Sequence, residues 1–130
     1  MPALSTKSIA DKLHIKSGQT VLLFNAPAQY EKQLGKLPSG VTMLKAASGD
    51  IDIIQLFVHS EAELKQQLPK LKKCLKQDGA LWVTYHKGTS KTKTDINRDT
   101  IAEYAKSIGL EGVAIISVDD DWSALRLKIE

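Results

Sequence analysis

The chain has 130 residues, 42% hydrophobic and 25% charged, with a formal net charge of +3. Leu, Ile, Val and Phe make up about 27% of it, enough for a packed core and against intrinsic disorder. Length gives one domain, residues 1–130. No apolar run reaches the roughly 20 residues of a membrane helix, the N-terminal stretch lacks the apolar core of a secretory signal, and one cysteine, Cys74, excludes an internal disulfide or a thiolate metal cluster.

Taken in order, Ser8 to Asp11 opens a short helix with Ile9 and Leu13 on one face, and Ser17-Gly18 turns the chain. Thr20 to Phe24 is a continuous apolar, β-prone run, as in a strand covered on both faces. Asn25 is positioned to cap a second helix with Pro27 in its first turn and Tyr30 and Leu34 on a shared face. Gly35 to Gly40 turns into a short strand, Val41 to Lys45. Ile51 to Val58 is a further buried strand. Ser60 caps a helix carrying Leu64, Leu68, Leu71 and Leu75, and Pro69, which lacks an amide hydrogen, is expected to kink it or break it in two.

Asp78-Gly79 reads as the turn into a strand from Ala80 to Tyr85, followed by a polar loop from His86 to Lys93. Ile101, Ala105 and Ile108 mark another helix, with Thr94 or Asp95 before it as a cap and Gly109 after it as a stop. Val113 to Val118 and Ser123 to Ile129 are joined by the Asp119-Asp120-Asp121 turn and should pair antiparallel. Strands alternating with helices predict an α/β, three-layer Rossmann-like fold: a mostly parallel sheet of about six strands with an antiparallel last strand and right-handed crossovers.

Three phrases carry a resemblance. LHIKSGQTVLLFN (13–25) resembles the lead into the first strand of the class I S-adenosylmethionine methyltransferase fold, IDIIQLFVHS (51–60) its fourth strand, and LPKLKKCLKQDGALWVTY (68–85) the stretch from helix through Gly turn into its fifth strand. The order of elements is that of this fold with one strand-helix unit missing. A closer resemblance is to a small bacterial family of degenerate methyltransferase-like domains, a family without an established activity. It is carried by Asn25-Ala26-Pro27, Leu81-Trp82-Val83 with Lys87, Thr94-Asp95, Val118-Asp119, Trp122-Ser123 and Leu125. The sequence departs from that family at His86, where a proline is usual, and in the extra lysines of the following loop.

An active methyltransferase of this class carries an acidic residue and a glycine-rich turn after its first strand, so that the backbone can approach the cofactor at a helix N-terminus. Here Leu23 stands at the acidic position, and Asn25, Pro27 and Gln29 stand at the three glycine positions. The second strand ends in Lys45-Ala46 where a ribose-binding acid is expected. The sequence therefore predicts no S-adenosylmethionine in the usual pose and no other cofactor. Gly88 to Thr94 lacks the second Gly with Lys-Ser/Thr of a P-loop. His14, His59 and His86 have no ligand spacing, so no metal is expected. Cys74 reads as an inert thiol, Ser123 has no base nearby in sequence, and the Asp119 to Asp121 run reads as turn chemistry.

In an open α/β sheet, ligands bind beyond the carboxyl ends of the parallel strands. That edge is predicted to gather Asn25, Ala26, Pro27, His59, Lys87, Thr94, Asp95, Asp119 and Trp122, with Asn25 capping the crossover helix and Lys87 supplying charge for an anionic ligand. The basic stretch around Lys87 has no interleaved aromatic residues, which argues against nucleic acid. The expectation is a cytoplasmic, non-catalytic binding or regulatory module for a small anion or a protein partner. The alternative is a transferase using the same cleft with a shifted cofactor pose. An exposed edge at Val41 to Lys45 further suggests a weak homodimer.

Overall fold

A computed structural model describes residues 9–28, 30–34, 37–44, 49–87, 96–118 and 121–129. In chain order the elements are α1 (Ile9–Lys12), β1 (Thr20–Phe24), α2 (Tyr30–Gln33), β2 (Thr42–Leu44), β3 (Ile51–Phe57), α3 (Glu61–Lys72), β4 (Leu75–His86), α4 (Arg98–Ser107), β5 (Leu110–Ser117) and β6 (Trp122–Ile129). The strands form one six-stranded sheet in the order β2-β1-β3-β4-β6-β5. β2, β1, β3 and β4 run parallel, and β6 is antiparallel to both β4 and β5. Alternation divides the sheet residues between two cores. Ile54, Leu56, Leu81, Val83 and Leu125 face α3 and α4. Ile53, Phe57, Trp82, Ala124 and Trp122 face the side of α1 and α2, where Ala10, Leu13, Tyr30 and Leu34 cover them. No helix among the described residues is long and apolar enough to cross a membrane.

Four local expectations are corrected. The second helix begins at Tyr30 rather than directly after Asn25, and Asn25 adopts a left-handed conformation with φ 62° instead of capping. Asn97, not Thr94 or Asp95, caps α4: its Oδ1 accepts from the Thr100 amide at 2.9 Å. Pro69 lies inside α3 and does not break it in two, since the helix continues to Lys72. The proline removes the amide that Lys65 O would accept from, and the Tyr104 hydroxyl of α4 donates to that carbonyl instead, at 3.4 Å.

The fourth correction concerns β4. Leu75 is its first residue rather than the end of α3, and Asp78-Gly79 lies within the strand. Ile51 pairs with Leu75 but Ile53 pairs with Ala80, so β4 bulges over residues 76–79. Gly79 is dictated by that close approach: a Cβ there would lie 2.8 Å from Asp52 O and 3.1 Å from Ile51 O. Asp52 secures the bulge to its neighbours. Its Oδ2 accepts from the Thr20 amide (2.9 Å) and hydroxyl (3.2 Å), and its Oδ1 pairs with Lys76 Nζ at 3.0 Å.

Candidate functional site

At the carboxyl edge of β1 and β3, Asn25 Nδ2 donates to Phe57 O at 3.0 Å and reaches Glu63 Oε2 at 3.5 Å. Glu63 belongs to the first turn of α3, where Ser60 Oγ accepts from its amide at 3.2 Å. Glu63 Oε1 in turn accepts from the His59 amide at 2.6 Å and lies 3.2 Å from His59 Nδ1. This is a capping box displaced by one residue. Above it the rings form a chain. Phe57 packs edge-on to Tyr30 (4.7 Å between centroids) and to Trp122 (5.1 Å). His86 stacks on Trp122 at 4.0 Å, and His59 lies 5.3 Å from His86 and 5.6 Å from Trp122.

A cleft of about 540 Å³ opens on the other side of the same edge, where Tyr85 and Ser123 form a cross-strand pair of β4 and β6. Lys87, Asn97, Arg98, Asp99 and Ile115 complete its walls. The Lys87 amide donates to Asp121 O at 2.8 Å, and its ammonium donates to Ser117 Oγ at 2.6 Å. Arg98 Nε lies 3.7 Å from Asp99 Oδ1. Tyr85 is 6% exposed. Burial pushes its hydroxyl above the ordinary tyrosine range, Arg98 pulls against this and Asp99 adds to it. The group is therefore a neutral donor at physiological pH. Two cations, a hydroxyl donor and the N-terminal end of α4 converge on one concavity, which is chemistry suited to an anion.

The structure thus separates the residues singled out in the sequence. Asn25, His59 and Trp122 come together through Phe57 and Glu63, with Ala26 and Pro27 in the turn that leads to Tyr30, whose amide bonds Pro27 O at 3.1 Å. Lys87 lies instead in the cleft toward α4. Thr94, Asp95 and Asp119 lie outside the described residues. Sequence reasoning missed Tyr85, Asn97, Arg98 and Glu63 as members of this edge. Two of them had a local signal: Asn97 stands directly before the apolar period of α4, and Ser60 with Glu63 fits the S-x-x-E box.

The sequence matches, over residues 10–130, the family described as protein of unknown function, DUF3052. The chain belongs to that family. No curated protein matched it. Among solved structures, DUF3052 as represented by this chain is similar to the ribosomal protein L11 methylase of Lactobacillus delbrueckii subsp. bulgaricus, with 12% identity, a TM-score of 0.61 and coverage of 94% of this chain and 75% of that one. It is also similar to a TehB-like SAM-dependent methyltransferase of Corynebacterium glutamicum, with 12% identity, a TM-score of 0.61 and coverage of 98% and 91%. A SAM-dependent methyltransferase of Aquifex aeolicus gives 14% identity, a TM-score of 0.57 and coverage of 100% and 94%. At these identities the likeness establishes the fold, which is Rossmann-like and methyltransferase-like, and leaves function to the site.

The cofactor of that fold does not fit the residues present here. Leu23, at the acidic position, packs against the apolar core facing α1 and α2. The Asn25 side chain spans the tips of β1 and β3, and Pro27 offers no amide proton. Among the described residues α2 has four, Tyr30–Gln33, short of the helix whose N-terminus faces the cofactor.

Proposed function

We propose that this DUF3052 protein is a non-catalytic binding module that takes an anionic group in the cleft between the ends of β4 and β6 and the start of α4. The observation that carries this reading is the convergence of Lys87, Arg98 and Tyr85 on one concave site. The test is calorimetry of the intact protein with S-adenosylmethionine and with inorganic phosphate. Phosphate is expected to bind and S-adenosylmethionine to stay weaker than micromolar, about −8 kcal/mol. Micromolar or tighter S-adenosylmethionine overturns the non-catalytic reading, and an absence of heat with phosphate overturns the anion site.

A second reading, a transferase with a shifted cofactor pose, draws on His59. Its imidazole is oriented by the Glu63 carboxylate at 3.2 Å, the arrangement a general base uses. The S-adenosylmethionine titration separates the two readings. Self-association through β2 belongs to this reading and is weak, because among the described residues β2 offers an edge of three residues. A concentration-independent monomer mass in sedimentation overturns it.

A further inference from the structure

We infer that the cleft beside α4 is built for an organic phosphate, a phosphate monoester carrying a small apolar or aromatic body. This rests on the reading of the cleft as an anion site and goes further by naming the ligand's two halves.

The phosphate half follows from the donors. Tyr85 is more than nine-tenths buried, lines the cleft, and its hydroxyl makes no hydrogen bond among the described residues. The ring is buried but the hydroxyl oxygen is not sealed from solvent, so it stands at the cleft surface in position to donate to a ligand oxygen. Lys87 and Arg98 flank it with a compact ammonium and a planar fork of donors. α4, ten residues long, directs its N-terminal end at the same space. Asn97 already occupies the Thr100 amide and the Ile101 amide bonds Asn97 O, which leaves the amides of the first two helical residues for a ligand. Two cations, a hydroxyl and helix amides exceed what a monoanionic carboxylate can use, whereas a phosphate monoester has three acceptor oxygens and close to two negative charges. Asp99 opposes an anion, but it is an exposed carboxylate held 3.7 Å from Arg98, and a phosphate would compete for that guanidinium.

The apolar half follows from the neighbouring surface. A second groove of about 240 Å³ shares Arg98, Asp99 and Ile115 with the cleft and continues along Ala102, Gly112 and Leu125. Ile115 is 45% exposed, one of two large hydrophobic residues so exposed among the described residues, and it stands where the two spaces join. A ligand body lying there would cover it.

The probes are phenyl phosphate, inorganic phosphate and benzoate, titrated calorimetrically into the intact chain. Phenyl phosphate is expected to bind about tenfold or more tighter than inorganic phosphate, and benzoate to be the weakest. Lys87→Gln and Arg98→Gln should each weaken phenyl phosphate about tenfold, and Tyr85→Phe by a smaller factor, with melting temperatures close to the parent's. Ile115→Ser should narrow the preference for phenyl phosphate over inorganic phosphate to about twofold. Benzoate binding as tightly as phenyl phosphate overturns the phosphate assignment and leaves the anion reading standing. Silence from all three probes overturns both. Affinity unchanged in Arg98→Gln, an exposed position where folding is not at stake, places the binding elsewhere and overturns the inference.

Discussion

At φ 62° the backbone of Asn25 lies in the left-handed region, where a Cβ costs roughly 1–2 kcal/mol and asparagine is tolerated best after glycine. The side chain compensates by bridging Phe57 O and Glu63, so this residue joins the tips of β1 and β3 to the first turn of α3. Asn25→Ala is expected to destabilise the fold by about 1–3 kcal/mol, because it removes the bridge and keeps the strain. Asn25→Gly should cost less, because it removes both. Urea unfolding of the two variants checks this, and equal midpoints would contradict the assignment of strain to this position. The sequence marked Asn25 as a residue with a special task but misjudged the task. An asparagine two residues before a proline is equally at home in a cap and in a turn, and only the position of Phe57 and Glu63 across the sheet edge decides between them.

Elements here are set as much by what crosses between them as by their own residues. α3 survives Pro69 because the carbonyl that the proline orphans finds the Tyr104 hydroxyl on α4. Pro69→Ala should therefore stabilise the protein by about 1 kcal/mol or more, through a restored helix bond. Tyr104→Phe should cost more in the parent than in the Pro69→Ala background. A double-mutant cycle with no coupling would refute the compensation. The β4 bulge was illegible for a related reason: Asp78-Gly79 has turn composition, and the neighbouring backbone that forces a glycine comes from residues 51 and 52. Asp52 gives that junction a pH dependence. Its burial alone would raise the carboxyl pKa, but hydrogen bonds from Thr20 and the Lys76 ammonium outweigh it and hold it below the usual range. A carboxylate lowered on folding contributes stability above its unfolded value, and that contribution is lost as pH falls through the folded one. Asp52→Asn is expected to be less stable at neutral pH and to show a flatter loss below about pH 4 than the parent. Urea midpoints followed from neutral to acid pH test this; parallel curves would exclude Asp52 as the titrating group.

For the molecule as a whole, the apolar runs 20–24 and 51–58 and the strand-helix alternation made the parallel sheet legible, and the short Asp-rich turn made β6 antiparallel. The cleft was not legible, because Tyr85, Arg98 and Ser123 stand on three elements and none has a local motif; only the order β4-β6-β5 brings them to one place. The same order makes the stability uneven. β4 is paired on both sides, by β3 and by β6, and Leu81, Trp82 and Val83 are fully buried between the two cores. Among the described residues β2 pairs over three positions, with β1 alone, and the face it shares with β1 is covered by α1 and α2, each described over four residues. Short helices are not stable on their own and hold only by packing. Opening β2 alone exposes little buried surface, because none of its described residues is fully buried, whereas opening β4 exposes both cores at once. Native-state hydrogen exchange should therefore show amides of residues 81–85 exchanging only through global unfolding, with a free energy equal to that from urea. Amides of β2 should exchange through a local opening several kcal/mol below it. β2 amides protected to the same degree as those of β4 would mean that the sheet opens as one unit and that the two-core division has no energetic counterpart.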